Sequence, residues 1–267
     1  MKRLCVLLLL LFSAFPASAS ERILALAPHV CEMLFAIGAG DEVVGAVSYC
    51  DYPAAAKKLP RVGTYNRINI EAAIALRPTV AIVTDAATPG VKKLSALGVR
   101  IVRSHPEKVE EVLADIRRLG EITGHKQQAD QVAFALQQRL DVLPARTNQK
   151  KLRVFYEIWP DPLLTAGKNT FIHDVLKHLG LVNVFGAVQM EAPRVNVESV
   201  LAAKPQLVIV PSEKRDVSVR SQYWKKWLGE DIQVITVNPD LLHRSGPRLL
   251  DGMEALDVQL QGLNFEK

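Results

Sequence analysis

The chain has 267 residues and a formal charge of +5, which falls to +3 once Lys2 and Arg3 are set aside. So mild an excess, with no Lys/Arg cluster interleaved with aromatic rings, argues against a nucleic-acid partner. After the first twenty residues no segment approaches the roughly 20 apolar residues that crossing a bilayer requires, and the length is enough for two lobes with separate cores.

The opening MKRLCVLLLLLFSAFPASAS sets two basic residues before an apolar stretch and ends on small residues, with Ala17-Ser18-Ala19 in the A-x-A pattern. It reads as a secretory signal peptide over residues 1–19, too short to span a membrane. Cys5 lies inside the apolar stretch rather than after it, so nothing marks a lipid-attachment site. A soluble exported protein beginning near Ser20 is expected. Export leaves Cys31 and Cys50 in an oxidising space, both just after predicted strands near one sheet edge. A disulfide there and two free thiols both remain open, because sequence does not fix the distance.

The first expected strand is ERILALA, followed by a Pro28-His29 loop and a helix, VCEMLFAIGAG, that stops at glycine. EVVGAVS is the next strand, and a long loop, YCDYPAAAKKLPRVGTYNR, leads to NIEAAIALRPTVAIV. VKKLSALG and VRIVRS supply a further helix and strand. Strands alternating with helices at this spacing predict an α/β lobe over residues 20–106 with a mostly parallel sheet. Residues 107–146 hold two helical patterns and no strand, and read as a stiff helical link. A second α/β lobe is predicted over residues 147–267, from LRVFYEIW and FIHDVLKHLG through QVITV to the closing helix GPRLLDGMEALDVQL.

The two halves share a sentence. NIEAAIALRPTVAIV (69–83) and NVESVLAAKPQLVIV (196–210) match at Asn69/Asn196, Glu71/Glu198, Ala75/Ala202, Pro78/Pro205, Ile82/Ile209 and Val83/Val210. Each copy reads as a short helix capped by Asn, with an acid in the first turn where the helix dipole favours it. Each then continues into an unbroken apolar strand suited to burial on both faces. A duplicated lobe follows, and the cleft between the copies becomes the default ligand site.

Catalytic patterns are weak. TAGKNT (165–170) lacks the first glycine of a phosphate loop and has Asn169 where Ser or Thr should follow the lysine, GAGDEVVG has the wrong glycine spacing for a dinucleotide site, and no G-x-S-x-G occurs. The six histidines are scattered. His29, Cys31 and Glu32 are the one local set with metal donors, of a softness that would suit zinc or copper, but Cys31 and Glu32 should point different ways on a helix. No metal and no resident cofactor is expected, and His29 reads better as a loop residue facing the cleft. An exported enzyme or metal chaperone built on His29 and Cys31 finds no base, nucleophile or oxyanion pattern to support it. Tyr49, Tyr52 and Tyr65 gather in loops at the expected carboxyl edge of the first sheet, and Trp159 at the end of the strand LRVFYEIW should face the cleft as well. Flat rings there favour a broad, partly apolar ligand, although ordinary packing accounts for aromatics too.

The signal peptide, the duplicated lobes, the helical link and the stretches SYCDYP, VGTYNRINIE and LLHRSGPRLLDG together resemble the periplasmic substrate-binding proteins with a helical backbone, which serve vitamin B12, siderophore and haem importers. The vitamin B12-binding branch looks most similar, and the likeness runs over essentially the whole mature chain. It implies a fold of two similar lobes joined by a rigid inter-lobe helix, a periplasmic location, and no enzymatic activity. It also implies a monomer that hands its ligand to an inner-membrane ABC permease dimer. Glu71 and Glu198 match the glutamates that dock on such a permease. Tyr49 matches a corrin-facing tyrosine, Tyr65 stands where a tryptophan is found, and Asp240 and Arg244 match polar residues of the second-lobe wall. Thr84 and Ala192 depart from the pattern, falling where further rings are placed; Trp159 is the candidate to compensate. The expected ligand is cobalamin or a related corrinoid. The alternative within the same fold is haem, with Tyr65 as an iron ligand, or a ferric siderophore held by Arg244 and Arg248.

Overall fold

The computed structural model describes residues 21–64, 66–143, 151–211 and 217–263. The expected signal peptide and Tyr65 lie outside them. Among the described residues no helix is long and apolar enough to cross a membrane.

The first half contains β1 (Ile23–Ala25), α1 (Pro28–Ala36), β2 (Val43–Ala46), the hairpin β3 (Gly63–Thr64) and β4 (Arg67–Ile68), α2 (Ile70–Ala75), β5 (Val80–Val83), α3 (Val91–Ala96) and β6 (Arg100–Arg103). Two helices follow, α4 (Val109–Thr123) and α5 (Lys126–Val142). The second half contains β7 (Arg153–Pro160), β8 (Leu163–Thr165), α6 (Phe171–His178), β9 (Val182–Asn183), α7 (Val197–Ala203), β10 (Leu207–Pro211), α8 (Val217–Leu228), β11 (Gln233–Val237), α9 (Pro239–Leu242) and α10 (Leu249–Gln261).

Parallel pairing gives the order β2-β1-β5-β6 in one sheet and β9-β7-β10-β11 in the other. In chain order these are the same sheet twice: the first strand sits second from the edge, flanked by the second and third. β8 is an addition that extends β7 as an antiparallel hairpin, and nothing in the sequence reading announced it.

The duplication reaches individual atoms. Asn69 Oδ1 accepts from the Ala72 N–H at 3.0 Å, and Asn196 Oδ1 accepts from the Ser199 N–H at 2.9 Å. Each cap satisfies one of the N–H groups that the first helical turn leaves without a partner. At the other end of the repeat, Arg77 and Lys204 both adopt left-handed backbone angles, with φ of 49° and 47°. Arg22, just before β1, donates to the carbonyls of Leu76 and Arg77; Arg153, at the start of β7, donates to those of Ala203 and Lys204. Each arginine closes the carboxyl end of its repeat helix, where a cation also suits the helix dipole.

The link is a pair of helices folded back on one another at Gly124, whose φ of 78° is the left-handed turn glycine takes most readily. α4 touches α1 of the first lobe and α6 of the second. Its buried Val109, Val112, Leu113, Ile116 and Leu119 join a single apolar cluster that also takes in Leu24 and Ile82 from one lobe and Val154 and Leu256 from the other. A core continuous through both lobes and the link is what makes the connection stiff. A smaller cluster, around Phe155, Val208 and Trp224, lies apart from it in the second lobe.

Because the two Asn caps sit in separate lobes, their losses should add. Asn69→Ala and Asn196→Ala are each expected to lower the unfolding free energy by about 1 kcal/mol in urea titrations, with the double variant within about 0.5 kcal/mol of the sum.

Candidate functional site

Loops leaving the carboxyl ends of parallel strands converge on the ligand in α/β sheets. In the first lobe these are the start of α1 and the Ser48–Tyr52 loop after β2. In the second they are the end of β7 and the segment from Asn238 to Arg248 after β11. Tyr156 of β7 packs against the ring of His243 with 5.8 Å between centroids, which sets the latter segment beside the end of β7.

Cys31 and Cys50 form a disulfide, with 5.8 Å between Cα atoms, that ties the Ser48–Tyr52 loop to α1. On one side of Cys50, Tyr49 is held at a φ of 66° and is 66% exposed. A left-handed angle costs a residue with a Cβ about 1–2 kcal/mol, and an exposed ring recovers little of that by burial. Such local strain gathers at binding sites, where the surrounding structure imposes it. Ser48 donates to the Gly63 carbonyl from its N–H, at 2.9 Å, and from its Oγ, at 3.2 Å, so β3 braces the same loop.

On the other side of Cys50, Asp51 faces across to the second lobe. Arg244 Nη1 donates to Asp51 Oδ1 at 2.7 Å and to Glu32 Oε1 at 3.2 Å, and its Nη2 donates to Asp240 Oδ1 at 2.6 Å. Arg248 donates to both Glu32 oxygens, at 3.0 and 2.6 Å, while its guanidinium lies 3.9 Å from the centre of the Tyr52 ring. Glu32 is only 3% exposed. Burial disfavours the Arg244 charge, yet hydrogen bonding to Asp51 and the charges of Asp240 and Asp51 outweigh it and raise its pKa. Burial likewise works against the Asp51 carboxylate, and the Arg244 hydrogen bond and charge prevail to lower its pKa. Two guanidiniums and three carboxylates thus bind the lobes together at the floor of the cleft. Gly246 lets them approach: a Cβ there would stand 3.2 Å from Glu32 Oε2 and 3.5 Å from the His29 Cβ.

His29 requires a correction. It lies inside the first turn of α1 rather than in a loop, and it is 7% exposed rather than facing the cleft. Its Nε2 stands 3.0 Å from Ser104 Oγ and 3.2 Å from the Ser104 carbonyl, and Ser104 in turn donates to Asp115, which accepts from Arg118. Burial lowers its pKa to about 4. The ring is an internal brace between α1, the end of β6 and α4.

The remaining residues fall at the expected edge. Asp240 is exposed in the first turn of α9, its N–H capped by Asn238 Oδ1 at 2.9 Å. Trp159 is 37% exposed at the end of β7, and its Nε1 donates to the Asp161 carbonyl at 2.8 Å. Glu71 and Glu198 are exposed in the first turns of α2 and α7. Those helices run towards the starts of β5 and β10, so both carboxylates lie on the carboxyl-edge side of their sheets, where the cleft opens. Thr84 is half-buried and Ala192 exposed, and neither brings a ring. Two open concavities mark the surface, the second of them bordering the ionic cluster. One, of about 370 Å³, has Arg103, His105 and Arg118 in its wall, and the other, of about 340 Å³, lies between Tyr52, Arg139 and Arg248.

Sequence reasoning passed over Glu32 and Asp51 as partners of Arg244. Glu32 left a signal: it is the only charged residue in the apolar helix PHVCEMLFA, and a lone acid amid buried positions calls for a cation.

The whole arrangement has relatives. Residues 23–239 match the profile of the family described as periplasmic binding protein. The chain belongs to the periplasmic binding protein family. It is 31% identical over 264 residues to the vitamin B12-binding protein of Yersinia pseudotuberculosis, covering 98% of this chain and 94% of that one. Among solved structures it is similar to the periplasmic vitamin B12 binding protein BtuF of Vibrio cholerae, with a TM-score of 0.82, 30% identity, and 91% and 97% of the two chains covered. It is also similar to the periplasmic heme-binding protein RhuT of Roseiflexus sp. RS-1, with a TM-score of 0.79, 25% identity, and 90% and 97% covered. Membership makes this periplasmic binding protein a transport receptor and not an enzyme.

The ionic floor and the buried histidines each make a prediction. Glu32→Ala removes both carboxylate contacts of Arg248 while Arg244 keeps Asp51 and Asp240, and is expected to lower the unfolding free energy by about 3 kcal/mol, read by chemical denaturation. Acid should act through His29 and His243, both held to about 4 by burial, against an ordinary value of 6.5. The unfolded chain then takes up protons that the native one refuses. Stability is complete above pH 6.5 and is lost as pH falls from there towards 4, by up to about 3 kcal/mol per ring. Denaturation measured across that range in wild type and His29→Gln should show a shallower loss in the variant.

Proposed function

We propose that this periplasmic binding protein captures cobalamin or a related corrinoid between its lobes and delivers it to an ABC importer, changing its lobe separation little. The likeness to vitamin B12-binding proteins over nearly the whole chain supports the cargo. The observation that carries the reading is Tyr49: an exposed ring, bent out at a strained backbone angle and fixed there by the adjacent disulfide. A ring so placed is preorganised for the flat face of a macrocycle, and its ordering has been met before the ligand arrives. Trp159 offers a second ring from the opposite lobe. Asp240 keeps an exposed carboxylate to accept from side-chain amides, while Arg244 holds it in place.

Haem is the second reading, supported by the similarity to RhuT, with Tyr65 as the proposed iron ligand. A ferric siderophore gripped by Arg244 and Arg248 is disfavoured, because both guanidiniums are committed to Glu32, Asp51 and Asp240.

Delivery follows from the duplication. A permease with two-fold symmetry presents the same surface twice, and two equivalent acids, Glu71 and Glu198, meet it in the same way. Exposed ion pairs add only about 0–1 kcal/mol each, so their work is orientation and encounter rate. A monomeric receptor suffices for this.

Two experiments test the reading. Purified protein mixed with cyanocobalamin and desalted should carry corrin absorbance, with Tyr49→Ala weakening binding by about 1–2 kcal/mol; a clean desalted protein, or a Soret band on haem titration with none for the corrinoid, would reject the cargo. The double variant Glu71→Ala/Glu198→Ala should bind as the wild type does and import poorly with its permease in proteoliposomes. Uptake at the wild-type rate would remove the two acids from docking.

A further inference from the structure

Where the link meets the second lobe, away from the cleft floor, three side chains with metal-ligating atoms converge. Asp174 and His178 stand one turn apart on α6, and Glu110 reaches them from the first turn of α4. One ligand atom from each lies within 4.8 Å of the other two. His178 Nε2 is 3.1 Å from Glu110 Oε1 and 3.5 Å from Asp174 Oδ2. Ligands bound to zinc at 2.0–2.1 Å in tetrahedral geometry are separated from one another by about 3.3 Å. Two of the three edges already match that spacing, and the third needs only a swing of the exposed Glu110 carboxylate.

The surroundings suit an ion as well. The Val109 N–H donates to Asp174 Oδ2 at 2.9 Å, which orients that carboxylate in the way outer-sphere hydrogen bonds orient metal ligands. Two carboxylates and a neutral imidazole balance a divalent cation. An imidazole in the set selects zinc and its neighbours in the transition series over magnesium or calcium, which prefer oxygen ligands in larger number. The two cysteines of the described chain, which would compete for such a metal, are spent in their disulfide.

We propose that Glu110, Asp174 and His178 form a binding site for zinc or a similar transition-metal dication, with water completing the coordination, and that the ion pins α6 to α4 at the inter-lobe joint. This is independent of what the cleft carries. The competitor is the proton: hydrogen bonding to Asp174, with the charges of Asp174 and Glu110, raises the His178 pKa despite burial. Lys177 is the nearby positive charge that opposes a metal.

The test uses the mature, untagged protein at mildly alkaline pH, titrated calorimetrically with zinc chloride and, separately, magnesium chloride, with thermal unfolding followed at each zinc concentration. One zinc per chain, no magnesium binding, and a melting temperature that rises with zinc are expected. His178→Ala and Glu110→Gln should each weaken zinc by at least about tenfold. Glu110 is exposed, so that variant reports even if His178→Ala fails to fold. Absence of zinc binding in the micromolar range, equal binding of magnesium, or unchanged zinc affinity in Glu110→Gln would overturn the proposal and leave these three residues as an ordinary ion pair.

Discussion

Two largely buried guanidiniums shared among three carboxylates bridge the lobes of this protein. Glu32 is the centre of that lattice. Withdrawn from water, it is tolerable only because Arg244 and Arg248 reach it from the far lobe, and neither arginine can leave without stranding a charge. Breaking such a set is far more costly than forming it is favourable, which makes it a fastener rather than a source of net stability. The continuous apolar core through α4 serves the same end from behind. The disulfide serves it from within, since Cys31 adjoins Glu32 and Cys50 adjoins Asp51. A chain of covalent, ionic and apolar contacts thus runs from one lobe to the other directly beneath the exposed Tyr49.

For the corrinoid proposed above, a receptor built this way would meet a rigid ligand with a rigid groove. Binding proteins that close like a hinge gain specificity by folding around a small cargo; a broad macrocycle needs little folding around. The ordering cost is then met in synthesis of the fold, in the left-handed Tyr49 and the tied loop, and less remains to be met at binding. The duplicated lobes do a separate job. Asn69 with Glu71 and Asn196 with Glu198 place equivalent carboxylates at the mouths of the two halves, and the arginines Arg22 and Arg153 hold the far ends of the same helices. One solution to presenting an acid has been used twice, as a partner with two equal faces would require.

Much of this was readable in the sequence because it is local or repeated. Helix caps, glycine stops and apolar strands follow from neighbours a few residues apart, and the repeated fifteen residues revealed the two lobes without any pairing information. The likeness to a known family supplied Tyr49, Asp240 and Arg244. What escaped depends on distances of hundreds of residues along the chain. Glu32 and Arg248 are 216 positions apart and Glu32 and Arg244 are 212, and no local rule joins them. His29 was misread for a related reason. A histidine after proline looks like a loop residue until Pro28 proves to be the start of a helix, and until Ser104 and Asp115 arrive from elsewhere to enclose the ring. The Glu110, Asp174 and His178 set hid in the same way, with one half of it a helical turn and the other half in the link.

The central claim is that the ionic floor and the shared core fix the lobe separation whether or not the cleft is filled. Spin labels at Ala75→Cys and Ala202→Cys, equivalent exposed positions in the two repeats, would report the distance between lobes by pulsed electron resonance. Distributions with and without cyanocobalamin should coincide to within about 1 Å; a shift of more than about 2 Å on binding would contradict the account.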